Sequence, residues 1–195
     1  MSTAPTRRLI MVRHAKAEQP APGQADVDRA LTSRGLLDAG AGGAELARIA
    51  LPSVVLCSTS RRTRQTWRAV LEGLSAELAL TTGDLGAGAA AHPEVKYVPG
   101  LYQAEVSDVV ETVRRSAGSA SVVVVVGHEP TMSEATLALA GPESDAEAVK
   151  HVKSGFPTAG IAVLALEREW ADLAPGDGRL EQFVVPRAEG GGSIG

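Results

Sequence analysis

The sequence has few of the residues on which several classes of protein depend. Its 195 residues include a single cysteine, Cys57, and only 3% of them are aromatic. One cysteine excludes an intrachain disulfide framework and a cysteine-rich zinc site, and it fits a reducing compartment, so we expect the cytoplasm. The scarcity of aromatic residues predicts a core of aliphatic side chains.

The chain also lacks an excess of basic residues and a long apolar run. Its formal net charge is −4, whereas nucleic-acid binders of the general basic type carry an excess of Lys and Arg, so no nucleic-acid partner is expected. The apolar run near the N-terminus is far shorter than the roughly 18 residues of a membrane span, and Arg13 and His14 follow it directly. We therefore expect no membrane association, and any anion site must be local.

The length and the turn signals predict one domain over residues 1–187 with a short tail. Residues 188–195 are rich in glycine and are expected to be loose. Residues 81–92 are rich in Gly and Ala without periodicity, which is typical of a surface loop.

Strand-like and helix-like segments alternate along the chain. The predicted strands are 8–13, 53–57, 94–98, 121–126, 159–166 and 180–185, and the predicted helices are 36–49, 60–80, 105–115 and a stretch after Pro130. Residues 26–35 are read as a loop, and the acidic segment 143–153 receives no element. This alternation predicts a three-layer α/β/α fold with a mostly parallel central sheet.

Polar residues follow three of these strands. Arg13 and His14 come after the first strand, Ser58 to Arg62 after the second, and His128 after the valine-rich fourth. Ligands of such folds collect beyond the carboxyl ends of the strands, so these residues are expected to converge on one crevice.

Each group alone has an ordinary structural explanation, but together they favour a phosphate site. Basic residues are unexpected in the first turn of a helix, where the macrodipole prefers acids, unless an anion binds there. Arg62 offers a planar fork that matches phosphate oxygens, and His128 can be cationic near neutral pH. The site would be strongly positive within an acidic protein.

Three short motifs resemble those of the histidine phosphatase superfamily. They occur in the family's order, each after a strand, and the likeness covers residues 8–187: Arg13-His14-Ala15, Ser58-x-x-x-Arg62-x-x-x-Thr66 and Gly127-His128-x-Pro130. The resemblance implies a fold like that of phosphoglycerate mutase and a phosphatase activity.

A narrower likeness is to the short protein-phosphohistidine phosphatases called SixA. It lies in Arg29-Ala-Leu-Thr32-x-x-Gly35, Leu101-Tyr102-x-Ala104 and Phe156-Pro-Thr-Ala159. Larger members of the superfamily carry a helical insertion between the second and third motifs, for which this chain has little room. The likeness implies an open pocket and a histidine-phosphorylated protein as substrate.

The resemblance also implies a role for each matching residue. His14 is expected to be the nucleophile, Arg13 and Arg62 to bind phosphate, and His128 to be the second histidine of the catalytic pocket. The phosphoryl group would pass through a phosphohistidine intermediate on His14, which water then hydrolyses. No metal or cofactor is expected, because the arginines neutralise the charge of the transferring group.

The chain departs from the family pattern at Ala15, where Gly is usual, at Lys16, where an acid is frequent, and at Pro20, where many members have Asn. No proton-donating carboxylate is identified, and a solvated surface role is preferred for each of the candidates Glu18, Asp26, Asp28, Glu105 and Glu129. The imidazole that leaves from a phosphohistidine substrate is a better leaving group than an alkoxide. The lack of an identified proton donor therefore favours a phosphoramidate substrate.

Other readings are weighed beside this one. A phosphomonoesterase for a small sugar phosphate or nucleotide would share every catalytic residue, and a phosphate-binding module without turnover would have no use for His14. A cysteine-dependent phosphatase would need an arginine at position 63, where the chain has Thr63. His92 and His151 lack ligand spacing and are expected on the surface. The sequence leaves the physiological substrate and the oligomeric state open.

Overall fold

The structure, a computed structural model, describes residues 6–83 and 92–189. Strands and helices alternate along most of this part of the chain. The strands are β1 (Arg7–Arg13), β2 (Val54–Ser58), β3 (Glu94–Val98), β4 (Val122–Gly127), β5 (Ile161–Leu166) and β6 (Gly178–Val184). The helices are α1 (Ser33–Ile49), α2 (Arg61–Thr82), α3 (Val106–Ser116), α4 (Thr131–Leu139) and α5 (Ala146–Ser154).

The six strands form one sheet in the order β3-β2-β4-β1-β5-β6. The first four are mutually parallel, whereas β5 runs antiparallel to β1 and β6 antiparallel to β5. The valines of β4 are buried on both faces, as their unbroken run predicts for a central parallel strand. The α/β fold with a mostly parallel sheet is confirmed.

Helices cover both faces of the sheet. α1 and α2 share one apolar cluster with alternate residues of β1, β2 and β4, while α3, α4 and α5 share the cluster on the other face. α1 and α2 approach each other closely at glycines: a Cβ added to Gly73 would meet the backbone oxygen of Gly40, and one added to Gly43 would meet that of Val70. These glycines therefore set the distance between the two helices.

Two segments differ from the sequence prediction. α1 begins at Ser33, within the predicted loop 26–35, because the Oγ1 of Thr32 accepts a hydrogen bond from the amide of Gly35 at 2.9 Å and caps the helix. The segment 143–153 holds most of α5. Asp145 is the N-cap residue of this helix, and its carboxylate accepts a hydrogen bond from the amide of Ala148. α5 buries only Ala148 and Val152, so its apolar stripe is too narrow to give a strong helical pattern.

The predicted surface loop 81–92 and the predicted loose tail 188–195 lie largely outside the described residues. Residues 81 and 82 belong to α2, and 84–91 of the predicted loop are not described. Of the tail, Ala188 is held against α1, since its amide donates to Asp38 at 3.2 Å and its carbonyl accepts from Arg34 at 3.1 Å. Residues 190–195 are not described, and the single-domain interpretation stays a prediction.

Candidate active site

His14 lies just beyond β1 at the carboxyl edge of the parallel strands. Its amide donates to the carbonyl of Gly127 at 3.0 Å, and the amide of Ala15 donates to Thr66 Oγ1 at 3.0 Å. The ring Nδ1 lies 2.8 Å from the carbonyl oxygen of Ala15. A carbonyl oxygen can only accept, so Nδ1 carries the proton and Nε2 keeps a free lone pair.

The protonation state of His14 suits a nucleophile. Burial, together with the positive charges of Arg62, Arg13 and Arg29, lowers the pKa of His14 to about 4, although the hydrogen bond to Ala15 opposes the shift. The ring is therefore neutral at neutral pH. Its Nε2 lone pair is available to attack an electrophile.

His128 lies beside His14 at the end of β4. The ring centroids are 5.2 Å apart, and His128 Nε2 is 2.9 Å from the hydroxyl of Ser58 at the end of β2. Burial, His14 and Arg62 lower the pKa of His128 to about 3, so the ring is neutral here rather than cationic as predicted. Desolvation is the largest cause of this lowered pKa, and a phosphate dianion beside the ring would raise the pKa again.

The two predicted arginines are placed by different parts of the chain. Arg13 Nη1 donates to the carbonyl of Phe156 at 2.6 Å. Arg62 lies in the first turn of α2, where Ser60 caps the helix, and its side chain is 8% exposed. Asp26 binds Arg62 twice, through its carbonyl at 2.8 Å and its carboxylate at 2.9 Å.

Three buried nitrogens at this site have no partner among the described residues. They are Nε of Arg13, Nε of Arg62 and Nδ1 of His128. A buried donor without an acceptor destabilises a fold by about 1–3 kcal/mol, so such atoms indicate a ligand. His128 Nδ1 is a donor when the Ser58 hydroxyl donates to Nε2. An anion with several oxygens, such as a phosphoryl group, supplies the kind of acceptor that such donors lack.

The sequence predicts no role for two residues of the site, although Ser58 is among the polar residues expected to converge on the crevice. Tyr102 meets the ring of His128 edge-on at 5.4 Å, lies 5.6 Å from the Arg62 guanidinium, and donates its hydroxyl to Asp26 at 2.6 Å. Ser58 orients His128. Both lie in the segments that carry the family likeness, and that position is the signal that could have identified them.

Of the five candidate proton donors, Asp26 lies nearest the arginines but is ill suited to the role. The hydroxyl of Tyr102 and the guanidinium of Arg29 hold the pKa of Asp26 well below its usual range. Its carboxyl group is therefore ionised at neutral pH and has no proton to give. Asp26 instead positions Arg62.

Glu129 follows His128 but is directed towards α4. Its carboxylate accepts from the hydroxyl of Ser133 at 2.8 Å, and burial raises its pKa. Glu105 is the N-cap residue of α3, and Glu18 and Asp28 are exposed. The structure thus brings Asp26 and Glu129 near the pocket and leaves the other three in surface positions.

The remaining candidates from the sequence do not join this site. Cys57 is buried, and burial raises the pKa of its thiol to about 12, so it is a poor nucleophile. His92 and His151 are exposed. Within residues 6–83 and 92–189, no group of His, Cys, Asp and Glu could hold a metal ion, and no helix there is long and apolar enough to cross a membrane.

Comparison with known proteins agrees with this geometry. The model of the histidine phosphatase superfamily (branch 1) matches residues 9–83. An uncharacterised protein of Mycobacterium tuberculosis is 40% identical over 179 residues, which cover 90% of this chain and 100% of that protein.

Two solved structures extend the likeness to most of the chain. Both are designated phosphohistidine phosphatase SixA. The one from Nakamurella multipartitia has a TM-score of 0.75 and 30% identity, covering 95% of this chain and 99% of its own. The one from Agrobacterium tumefaciens has a TM-score of 0.70 and 28% identity, covering 92% and 98%.

Proposed function

The chain belongs to the histidine phosphatase superfamily, and from this membership we propose that it is a metal-independent phosphatase that hydrolyses protein phosphohistidine through His14. The observation that carries the proposal is the neutral His14, whose Nε2 keeps its lone pair, at a site with three buried nitrogens that have no partner among the described residues. A nucleophile and a set of anion donors are the two requirements of phosphoryl transfer by covalent catalysis.

In the first step, His14 Nε2 attacks phosphorus in line with the leaving group. An N–P bond forms on His14 as the bond to the substrate breaks, and the substrate imidazole, which carries a proton on its other ring nitrogen, leaves with the bonding electron pair as neutral imidazole. Arg13, Arg62 and His128 bind the equatorial oxygens, where the charge of the transition state lies. In the second step, water attacks the phosphohistidine and releases inorganic phosphate, which restores neutral His14.

No metal is needed in this scheme, because the arginines supply the positive charge that a cation would otherwise provide. Chelation provides the test. Turnover of the purified protein is expected to be unchanged after exhaustive treatment with EDTA, and a loss that Mg²⁺ or Zn²⁺ restores would contradict it.

A phosphohistidine substrate is favoured by the state of the nearby carboxylates. Asp26 is ionised and bound to Arg62, while Glu129 is bound to Ser133. Asp26 therefore has no proton to give to an alkoxide leaving group, which a phosphomonoester would require. An imidazole leaving group needs less help, and the two similar structures carry the name of phosphohistidine phosphatases.

The test compares wild type with His14→Ala and with His151→Ala, which changes an exposed histidine on α5. Wild type and His151→Ala should become labelled on His14 when a phosphorylated histidine-containing transfer domain is the donor and the reaction is quenched without acid. His14→Ala should show neither label nor turnover. Absence of label in the wild type with any phosphorylated donor would overturn the mechanism.

A panel of small phosphomonoesters assayed beside the phosphorylated domain tests the substrate class. We expect kcat/KM to be greater for the phosphorylated domain. Greater efficiency on a sugar phosphate or a nucleotide would assign the same His14 chemistry to a small ester.

A further inference from the structure

A groove separates α2 from the edge strand β3, beside the catalytic pocket. It has a volume of about 460 Å³. Its apolar surface is supplied by both elements: Trp67, Leu71, Val95 and Tyr97. Tyr97 is 53% exposed. The indole nitrogen of Trp67 is buried and has no partner among the described residues.

Three arginines line the same groove. Arg61, Arg64 and Arg68 are three and four residues apart, which places them in one stripe on the exposed side of α2. Arg68 pairs with Glu72 at 3.0 Å. Among residues 6–83 and 92–189, no carboxylate pairs with Arg61 or Arg64, and Arg64 lies over the ring of Tyr97 at 5.8 Å.

The groove adjoins the site where phosphate would bind. Arg61 and Arg64 flank Arg62 in the first turns of α2, so the stripe starts where the catalytic arginine enters the pocket. Tyr97 pairs with Cys57 in the sheet, one residue before Ser58, which contacts His128. The groove and His14 therefore lie on the side of the sheet where the parallel strands have their carboxyl ends. One bound protein could reach both.

We propose that this groove binds an acidic segment of the phosphorylated partner protein, next to its phosphohistidine; the proposal rests on the proposed function. Carboxylates of the segment pair with Arg61 and Arg64, and an apolar side chain packs against the exposed ring of Tyr97. The charge argues for this occupant, because two arginines here have no carboxylate partner among the described residues of a chain whose net charge is −4. Such contacts raise the association rate and the specificity for one partner.

The groove's composition favours a protein segment over a nucleic acid. A polynucleotide needs a continuous basic track, whereas this stripe ends at Arg68, which is already paired with Glu72. The groove is also partly apolar, which suits a side chain better than a phosphate backbone. A nucleic acid is therefore an outcome of the test that would contradict the proposal.

The experiment measures kcat/KM for two substrates of the intact protein. One is a phosphorylated histidine-containing transfer domain with carboxylates beside its phosphohistidine, and the other is phosphoimidazole, which is too small to reach the groove. Arg64→Glu and Tyr97→Ala are expected to lower kcat/KM for the phosphorylated domain by about tenfold or more, through removal of a charge pair or of a packing surface. Both variants should turn over phosphoimidazole as wild type does.

Arg115→Glu is the matched control, because it makes the same charge change at an exposed arginine of α3, on the opposite face of the sheet. It should leave both substrates unaffected. A second arm replaces the carboxylates of the transfer domain by lysines, which should restore activity to Arg64→Glu and lower that of wild type.

The outcomes separate this proposal from the proposed function. An equal loss on both substrates, or no loss on the phosphorylated domain, would overturn the groove assignment while the His14 mechanism stands. A wild type that turns over neither phosphoramidate would overturn the proposed function instead. Binding of a single-stranded oligonucleotide in the groove, competing with the domain, would also contradict the proposal.

Discussion

At the scale of single residues, the proposed phosphate pocket depends on a contact network around Asp26. This residue comes from the segment between β1 and α1, yet it binds Arg62 of α2 and accepts a hydrogen bond from Tyr102, which follows β3. The carboxylate thus joins three separate parts of the chain. Its role is to fix the Arg62 guanidinium where a transferring phosphoryl group would lie.

Asp26→Asn is expected to lower kcat by about tenfold, because a neutral amide holds Arg62 less firmly in the orientation that the transition state requires. Inhibition by inorganic phosphate should be no weaker, since removing a negative charge raises the positive potential of the pocket. Steady-state kinetics with phosphate as competitor measure both effects. Asp28→Asn is the control, being exposed on the same turn, and an equal loss of kcat there would exclude a specific role for Asp26.

Arg62→Ala is expected to weaken phosphate binding by about a hundredfold or more, because a bound dianion loses a bidentate, charge-assisted partner. Titration with inorganic phosphate or vanadate measures the change. Arg68→Ala, on the exposed face of the same helix, should bind phosphate as wild type does. Near-normal binding by Arg62→Ala would count against the pocket described here.

The acid limb of the pH–rate profile should report His14. Its pKa is lowered to about 4, so Nε2 stays unprotonated throughout the neutral range and kcat/KM should fall only as the pH drops through about 4. An acid-stable aryl phosphate, such as p-nitrophenyl phosphate, allows this measurement once the profile is corrected for the second ionisation of the substrate's own phosphate group. A limb near the ordinary histidine pKa of about 6.5 would show that His14 is not desolvated as the structure has it.

At the scale of elements, the packing of α1 on α2 decides where Arg62 lies. The helices touch through glycines, so that Gly73 of α2 faces the backbone of Gly40 in α1. Backbone atoms cannot rotate away from an added side chain. One methyl group added at Gly73 would therefore change the distance between the two helices, whereas one added at Gly40 would not.

Gly73→Ala is expected to lower the free energy of unfolding by about 1–3 kcal/mol, because the new Cβ would overlap the backbone oxygen of Gly40 and force the helices apart. Gly40→Ala makes the same change where the added Cβ would meet nothing closer than 3.9 Å. It should be neutral or stabilise by up to about 1 kcal/mol through helix propensity. Urea denaturation compares the two, and equal effects would contradict the packing argument.

At the scale of the whole molecule, the buried His128 and the half-buried His14 couple stability to pH. The folded-state pKa values of His14 and His128 are about 4 and about 3, below the unfolded value of about 6.5. The unfolded chain therefore binds more protons across this interval. Stability is fully present above about pH 6.5 and is lost as the pH falls towards the folded-state values.

The free energy of unfolding should accordingly be lower at about pH 4.5 than at about pH 7, and His128→Gln should reduce the difference because it removes one of the two titrating groups. Urea denaturation at both pH values provides the measurement. His151→Gln, at an exposed position, should change the difference little. A pH dependence that is the same in His128→Gln and wild type would assign it to other groups.

The sequence by itself determined the α/β fold, the strand-end positions of His14 and His128, and the resemblance to a family. These follow from local periodicity and from motifs that each occupy one short stretch of chain. The structure confirmed the sheet and placed Arg13, Arg62, His14 and His128 around one pocket, although their catalytic roles stay predictions. The antiparallel direction of β5 and β6 was not predicted, because the sequence pattern carries no strand direction.

Only the tertiary structure decided which charges meet. Asp26 is paired with Arg62 across 36 residues of sequence and with Tyr102 across 76, and no spacing rule joins positions so far apart. The neutral state of His128 likewise depends on burial beside His14, which exists only once β1 and β4 are paired. The residues that could take part in the chemistry could therefore be identified from the sequence. Their protonation states and orientations could not, because these arise from desolvation and from contacts that form only in the folded chain.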